Sequence, residues 1–284
     1  MSKVITPTLS PADLARFCEF LYGRTGLLYG ESKRFYIERR LKERMTEVGI
    51  SQFPAYMALL RSNTRETKHF INSFTVNETY FYREDHQLRC LSGSLLPEIV
   101  RRRGPGDLVR LWSVPCSTGE EPYSLAILLH EEGLLERTIL YATDINHASL
   151  DKAKQGIFPL EPMQSFTRNY QRAGGSSSFS DYYTAAYGGA LFDRRLRDSI
   201  TFADHSLATD AVFSETQLVS CRNVLIYFNR ALQDRALGLF HESLSRRGFL
   251  GLGSKETLDF SAYADRFEAV SRPDRIYRRL GERA

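Results

Sequence analysis

Two adjacent glutamates, Glu120 and Glu121, follow a turn of small residues in the stretch WSVPCSTGEEPYS at 112–124. The apolar run LVRLW at 108–112 suits a buried strand, and PYSLAILL at 122–129 suits a helix. Strand, tight turn and helix form the frame of a nucleotide-type pocket. Small residues let a ligand approach the backbone, and a helix N-terminus offers free N–H groups. The chain contains neither GxxxxGK[S/T] nor GxGxxG, so it lacks both the triphosphate loop and the dinucleotide fingerprint. Two carboxylates at a helix start suit the helix dipole but repel a pyrophosphate. They favour a ligand that carries positive charge, and S-adenosylmethionine, with its ammonium and sulfonium groups, is one. The same glutamates could equally decorate the first turn of a helix, and this stretch alone leaves both readings open.

Three further groups of residues could do chemistry. TILYAT at 138–143 reads as a second strand that ends in Asp144. An acid there, about 25 residues past the turn, is placed to accept hydrogen bonds from ribose hydroxyls. The other reading is a cap for a helix at 147–156, which Asn146 could supply instead. In FTVNETYFYRE at 74–84, Asn77, Thr79 and Arg83 would present an amide, a hydroxyl and a guanidinium in a cleft between domains, where ligands often bind. Tyr80 and Phe81 beside them read as apolar glue between domains. QLVSC at 217–221 is a buried strand that ends in Arg222 and Asn223.

The elements that must position these groups follow from periodicity and turn signals. Residues 1–9 read as a loose arm. Ser10 with Asp13 resembles a capping box, and Pro11 suits the first helical position. A first helix carries Phe17, Leu21 and Leu28 and ends near Gly23 or Gly26. A second spans about 32–49, with Phe35, Ile37, Leu41, Met45 and Val48 as its apolar positions. Its remaining positions carry Lys33, Arg34, Arg39, Arg40, Lys42 and Arg44 against Glu38, Glu43 and Glu47. Such a surface is either a solvated face with helical ion pairs or a basic ridge for an acidic partner. Helices at 51–62 and 64–74 complete an all-helical unit, and a helix at 85–103 leads into the first strand. From 108 onward strands alternate with helices, as in a mostly parallel sheet. The alternation breaks at 158–200, where GGSSS at 174–178, Tyr182–Tyr183, Gly188–Gly189 and RRLR at 194–197 suggest an insertion of short strands and flexible turns. A strand at 200–203, a helix at 229–247, a strand at 248–253 and a terminal hairpin across Pro273–Asp274 follow.

Composition bounds the class. The 284 residues are 42% hydrophobic and 25% charged, with a net charge of +4, ordinary for a globular protein and too small to imply nucleic acid. No run reaches the ~20 apolar residues of a membrane span, and MSKVITPTLSPADL lacks a signal-peptide core. Cys18, Cys90, Cys116 and Cys221 are scattered, as in reduced cytoplasmic thiols. The histidines show no metal-ligand spacing, so no metal site is expected.

NETYFYRE (77–84), CSTGEEPYS (116–124), ATDI (142–145) and CRNVLIYF (221–228) together resemble the chemotaxis receptor methyltransferases, the CheR-type protein-glutamate O-methyltransferases. Order and spacing agree over roughly residues 10–280. The resemblance implies an α/β class I methyltransferase domain of Rossmann-like fold at 108–284, with a small antiparallel β insertion at about 165–200. It also implies an N-terminal all-helical domain at 10–76 and a junction with a linker helix at 77–107. S-adenosylmethionine is the implied methyl donor, with S-adenosylhomocysteine as product, and glutamates of a chemoreceptor cytoplasmic domain are the implied acceptors. Asn77, Thr79, Arg83, Glu121, Asp144, Arg222 and Asn223 match cofactor-binding positions, and Arg83 and Tyr227 match the pair beside the reacting methyl. Ser206 and Leu207 stand where relatives touch cofactor, although Asn is common at the first. The basic helix, with Lys33, Arg34, Arg39, Arg40, Lys42 and Arg44, matches the receptor-docking helix. The Gly- and Ser-rich insertion is less compact than that of relatives that grip a receptor C-terminal peptide, so a peptide-independent, monomeric, cytoplasmic enzyme is expected. A base-directed methyltransferase is disfavoured because RNVL at 222–225 replaces an Asn-Pro-Pro-Tyr-like motif. A non-catalytic adaptor is disfavoured by Arg83 and Tyr227.

Overall fold

A computed structural model describes residues 7–25, 31–74, 78–104 and 106–281, without the side chains of 25, 31–34, 36, 73 and 74. The chain divides into two compact units, Met1–Val76 with Tyr227–Leu232, and Asn77–Ile226 with Gln233–Ala284.

The first unit contains α1 (Pro11–Thr25), α2 (Glu31–Glu47), α3 (Phe53–Ser62) and α4 (Thr64–Phe74). Ser10 Oγ accepts the Asp13 N–H at 3.1 Å, and Asp13 accepts the Ser10 N–H at 3.1 Å, so the expected capping box forms. Leu28, expected on the first helix, lies outside the described residues. On α2, Ile37, Leu41 and Met45 recur every fourth residue and are fully buried. Phe35 was expected on that face but is 77% exposed. It stands two residues from Ile37, about 200° around a helix with 3.6 residues per turn. Phe17 and Phe70 meet edge to face at 4.8 Å in the core of the unit.

The second unit is a seven-stranded sheet in the order β6-β2-β1-β7-β8-β10-β9. Its strands are β1 (Val109–Ser113), β2 (Thr138–Asp144), β6 (Ile200–Asp204), β7 (Thr216–Cys221), β8 (Leu244–Leu252), β9 (Phe267–Ser271) and β10 (Ile276–Arg279). β1, β2, β6, β7 and β8 run parallel, while β10 is antiparallel to both β8 and β9. The helices are α5 (Asp85–Cys90) and α6 (Leu96–Arg103), joined by a π-turn at Leu91–Leu95, then α7 (Glu120–Glu131), α8 (His147–Gln155), α9 (Met163–Arg172), α10 (Arg194–Asp198) and α11 (Arg230–Ser243). The last helix was expected to reach 247, but Ser243 ends it and Leu244 begins β8. Leu244 is drawn into the sheet by pairing with Thr216.

The insertion holds a separate sheet, β3 (Ile157–Pro159), β5 (Gly189–Phe192) and β4 (Tyr183–Ala186), antiparallel throughout. Phe81 is fully buried here, stacked on Phe192 at 4.8 Å and edge-on to Phe158 at 4.8 Å. It therefore fastens the junction to the insertion. The Gly-Ser stretch is bonded, not loose. Glu131 on α7 accepts from Tyr170 Oη at 2.5 Å, Tyr182 Oη at 2.9 Å and the Ser176 N–H at 3.0 Å. A Cβ at Gly175 would lie 2.1 Å from the Tyr170 ring, so only glycine fits beneath that tyrosine.

Candidate active site

The chemistry-bearing residues gather because parallel strands end together. Ser113 opposes Ser220, Asp144 opposes Asp204, and Cys221 opposes Leu252, so the carboxyl ends of these strands form one rim. In open α/β sheets, ligands bind at such a rim. After β1 the chain turns through Gly119, with φ at 104°. A Cβ there would meet Ala153 Cβ at 2.9 Å, so the turn needs glycine to pack against α8.

The two glutamates part company at this turn. Glu120 faces back, its carboxylate accepting from Thr118 Oγ1 at 2.6 Å, and burial raises its pKa. Glu121 faces the rim, accepting from Ser113 Oγ at 3.0 Å and pairing with Arg222 at 3.3 Å. Asp144 is buried at the end of β2. Its Oδ2 accepts the Ser117 N–H at 2.8 Å and its Oδ1 the Asn146 N–H at 2.8 Å. Asn146 caps α8 through the Ser149 N–H at 3.0 Å, so the acid is not needed as a cap. With about four acceptor sites, the carboxylate still has capacity for a hydroxyl donor. Burial pushes its pKa up against these N–H bonds.

Arg222 is the centre of the rim. Its guanidinium reaches Glu121 at 3.3 Å, Glu84 at 3.2 Å and the Arg83 carbonyl, while its buried Nε has no partner among the described residues. Glu84 was not singled out from sequence. It accepts the Ser254 N–H at 3.0 Å, and although burial opposes ionisation, Arg222 and Ser254 hold its pKa below the ordinary value. Tyr82 and Glu84 both adopt left-handed backbone, with φ at 55° and 54°. That strain is held by the Glu84 bonds and by the Tyr82 N–H donating to Ser124 Oγ at 3.0 Å.

Glu256 is the second residue that sequence reading missed. Its buried carboxylate accepts the N–H groups of Asn223, Val224, Leu225 and Gly253 at 2.9, 2.8, 2.7 and 2.7 Å. It thereby fixes the loop after β7 and holds Asn223 in a left-handed conformation, φ 61°. The only local sequence signal was the Gly-x-Gly that closes β8, and the partners are more than thirty residues away for the loop.

Comparison with known proteins decides the family. The SAM-binding domain of the CheR methyltransferases matches residues 77–276, and their all-alpha domain matches residues 12–75. The chain belongs to the CheR methyltransferase family. It is thus an S-adenosylmethionine-dependent enzyme. Chemotaxis protein methyltransferase 2 of Vibrio cholerae is 36% identical over 265 residues, covering 90% of this chain and 87% of that protein. The chemotaxis protein methyltransferase of Escherichia coli is 33% identical, covering 91% and 88%. A Pseudomonas putida protein provisionally named methyltransferase Cher3 is 69% identical over 205 residues, covering 72% and 74%.

The residues of this CheR chain fit the cofactor. Asp144 retains acceptor capacity, Glu121 supplies negative charge, and Ser117 Oγ is buried without a partner among the described residues. Thr79 is half-buried, whereas Asn77 lies outside the described residues. Arg83 donates to the Glu78 carbonyl at 2.6 Å and lies 5.5 Å from the centre of the Tyr80 ring. Ser206 begins a tight turn after β6, its N–H bonded to Asp210 at 2.9 Å, and Leu207 is buried beside it. Tyr227 lies in a short 3₁₀ turn, Leu225–Tyr227, within the segment that groups with the helical unit.

The basic helix is less uniform than its composition suggests. Lys42 pairs with Glu38 at 2.6 Å, and Arg39 and Arg40 both approach Glu43, at 3.6 and 3.5 Å. Arg44, half-buried, forms a two-pronged pair with Glu66 at 2.9 and 2.7 Å and also meets Glu47 at 2.8 Å. The side chains of Lys33 and Arg34 lie outside the described residues. Among the described residues, no helix is long and apolar enough to cross a membrane, and no cluster of ligating side chains could hold a metal ion.

Proposed function

We propose that this CheR-family enzyme methylates glutamate side chains on the cytoplasmic domain of a chemoreceptor, in the cytoplasm and as a monomer. The observation that carries the reading is the Glu121–Arg222–Glu84 cluster beside Asp144, at the rim that the SAM-binding domain match covers. We assign cofactor contacts to Asn77, Thr79, Arg83, Glu121, Asp144, Ser206, Leu207, Arg222 and Asn223. Glu121 would offset the cofactor's positive charge, Arg222 its carboxylate, and Asp144 would accept from its ribose.

When bound, S-adenosylmethionine supplies a methyl group activated by a neutral thioether leaving group. A glutamate oxygen would take that methyl carbon, the electron pair of the carbon–sulfur bond leaving with the thioether. The acceptor is already ionised at neutral pH, so no general base is required. What the protein must supply is in-line positioning. We assign that to Arg83, through a charge-assisted bond to the incoming carboxylate, and to Tyr227. Arg83 cannot hold too strongly, because the nucleophile loses its charge as the ester forms. Lys33, Arg34, Arg39, Arg40, Lys42 and Arg44 would receive an acidic receptor surface.

The test is transfer of labelled methyl from S-adenosylmethionine to a receptor cytoplasmic fragment, followed by mild alkali. Label that is released as methanol identifies a carboxyl methyl ester. Label that resists alkali, or cofactor binding without transfer to any of several receptor fragments, overturns the reading.

A further inference from the structure

A groove of about 390 Å³ lies outside the cofactor rim, between the loop that follows β8 and the β9–β10 hairpin. Leu258, Phe267, Ala269 and Tyr277 give it apolar walls, and Arg272 and Arg275 line it at the hairpin turn. Nothing in the cofactor chemistry uses these residues.

Sheet register places the groove at the working end of the sheet. Cys221, which immediately precedes Arg222, opposes Leu252 on β8, and the Leu252 N–H donates to the Arg275 carbonyl at 3.0 Å. Arg275 therefore stands two strand spacings from the root of Arg222, about 10 Å. β9 is also the outermost strand of the sheet, so its outer ladder groups are unpaired within the sheet.

Charge selects the occupant. The acids around the hairpin are mostly engaged: Glu268 with Arg278 at 2.8 Å, Asp274 with His86 at 2.6 Å, and Asp265 with Arg266 at 3.8 Å. Arg272 and Arg275 have no side-chain partner among the described residues, and Asp259 is the one acid in the lining. Phe260, on the loop that forms the other wall, is 87% exposed in a left-handed conformation, φ 70°. An exposed aromatic next in sequence to the lining residue Asp259, on the same loop, and two arginines without side-chain partners among the described residues have the composition of an interface anchor.

We infer that this groove docks the acidic stretch of substrate polypeptide flanking the glutamate to be methylated. The inference rests on the glutamate methylation proposed above. An enzyme that esterifies glutamates on an acidic protein gains substrate selectivity from cations held beside, and not within, the reaction centre. Further cations at the centre, added to Arg83, would lower the nucleophilicity of the acceptor itself. A helical substrate spans about 10 Å in roughly seven residues, so the docking acids should fall about two turns from the acceptor.

The experiment compares wild type with the Arg272→Glu/Arg275→Glu double variant, and with Arg272→Gln as a milder change. Steady-state methylation of a receptor cytoplasmic fragment is measured at two salt concentrations, together with S-adenosylhomocysteine affinity by calorimetry. The expected result is a rise of about tenfold in KM for the fragment at low salt, shrinking at high salt, with cofactor affinity within about twofold of wild type. A fragment whose flanking acids are changed to lysine should recover a low KM with the double variant. Unchanged KM in an active wild-type background overturns the docking groove and leaves the methylation reading standing. A change confined to self-association in sedimentation reassigns the groove to a second copy and likewise overturns it. Failure of wild type to methylate any fragment overturns the underlying reading and this inference with it.

Discussion

Each unit of the molecule sets an arginine among carboxylates, Arg44 half-buried and Arg222 buried, and the two clusters are built differently. In the helical unit, Arg44 grips Glu66 with a matched fork at 2.9 and 2.7 Å, and Glu66 also accepts from Tyr56 Oη at 2.9 Å. Its backbone N–H is capped by Asn63 at 3.1 Å. Every group has a close partner, and the hydrogen bond from Arg44 holds the Glu66 pKa below its ordinary value even against burial. At the rim of the catalytic unit, Arg222 divides its donors among Glu121, Glu84 and a carbonyl, with carboxylate contacts of 3.2–3.3 Å and an unpartnered Nε. The first is a finished strut between helices. The second leaves acceptor and donor capacity unspent, which is what a binding site requires. A buried ion pair is weak evidence of stability by itself, so the completeness of its hydrogen bonding is the more informative feature.

Removing the centre of the open cluster should have the largest effect. Arg222→Ala strands two half-buried carboxylates, and methyl transfer is expected to fall about a hundredfold or more in kcat/KM, roughly 2.7 kcal/mol. If kcat/KM stayed within threefold of wild type, the distinction between the clusters would collapse. Glu66→Ala should act on the other side of the comparison. It is expected to lower stability by about 2 kcal/mol in urea unfolding, because Arg44 keeps Glu47 and access to water. S-adenosylhomocysteine affinity should be unchanged, and a weakened affinity would show that the strut also serves the site.

Asp144→Asn sharpens the contrast further. The amide retains one acceptor but presents a donor toward either the Ser117 or the Asn146 N–H. Cofactor affinity by calorimetry should drop about tenfold, roughly 1.4 kcal/mol, with little change in fold. The smallest expected effect is on acid stability. Glu66 and Glu84 both have folded pKa values below the ordinary 4.5. Their contribution is therefore present above the unfolded pKa and is lost as pH falls through the depressed folded value. Glu84→Gln should shift the acid unfolding midpoint of wild type by a few tenths of a pH unit, about that expected of one partly desolvated group. An identical acid limb in variant and wild type would show that Glu84 is not ionised in the cluster.

Much of this was readable along the chain. The capping box at Ser10, the four-residue spacing of Ile37, Leu41 and Met45, and the strand–turn–helix around Gly119 are local signals, and each produced the expected element. What the turn lacks, with Glu120 and Glu121, suggested the cofactor class; the four motifs read together carried it and pointed to Glu121, the glutamate that faces the rim. Local reading failed where a distant partner overrode it. The helix expected to run to 247 stops at Ser243 because Thr216 recruits Leu244 into β8. The pairing of Arg44 with Glu66, on another helix, was not legible from the composition of α2. The Gly-Ser stretch at 174–178 looked loose because Glu131, which binds it, lies 45 residues earlier.

The sequence by itself determined the family, the alternation of strands and helices, and the acidic, glycine-turned pocket suited to S-adenosylmethionine. These are properties of residue type and short spacing, which act within a few turns of chain. Only the tertiary structure decided that Glu84 and Glu121 share Arg222, across 138 and 101 residues. It alone placed Glu256 under the loop carrying Asn223, and the Arg272–Arg275 turn two strands from the rim. Those arrangements depend on strand order and register, which are set by the packing of the whole sheet and by no single stretch of it.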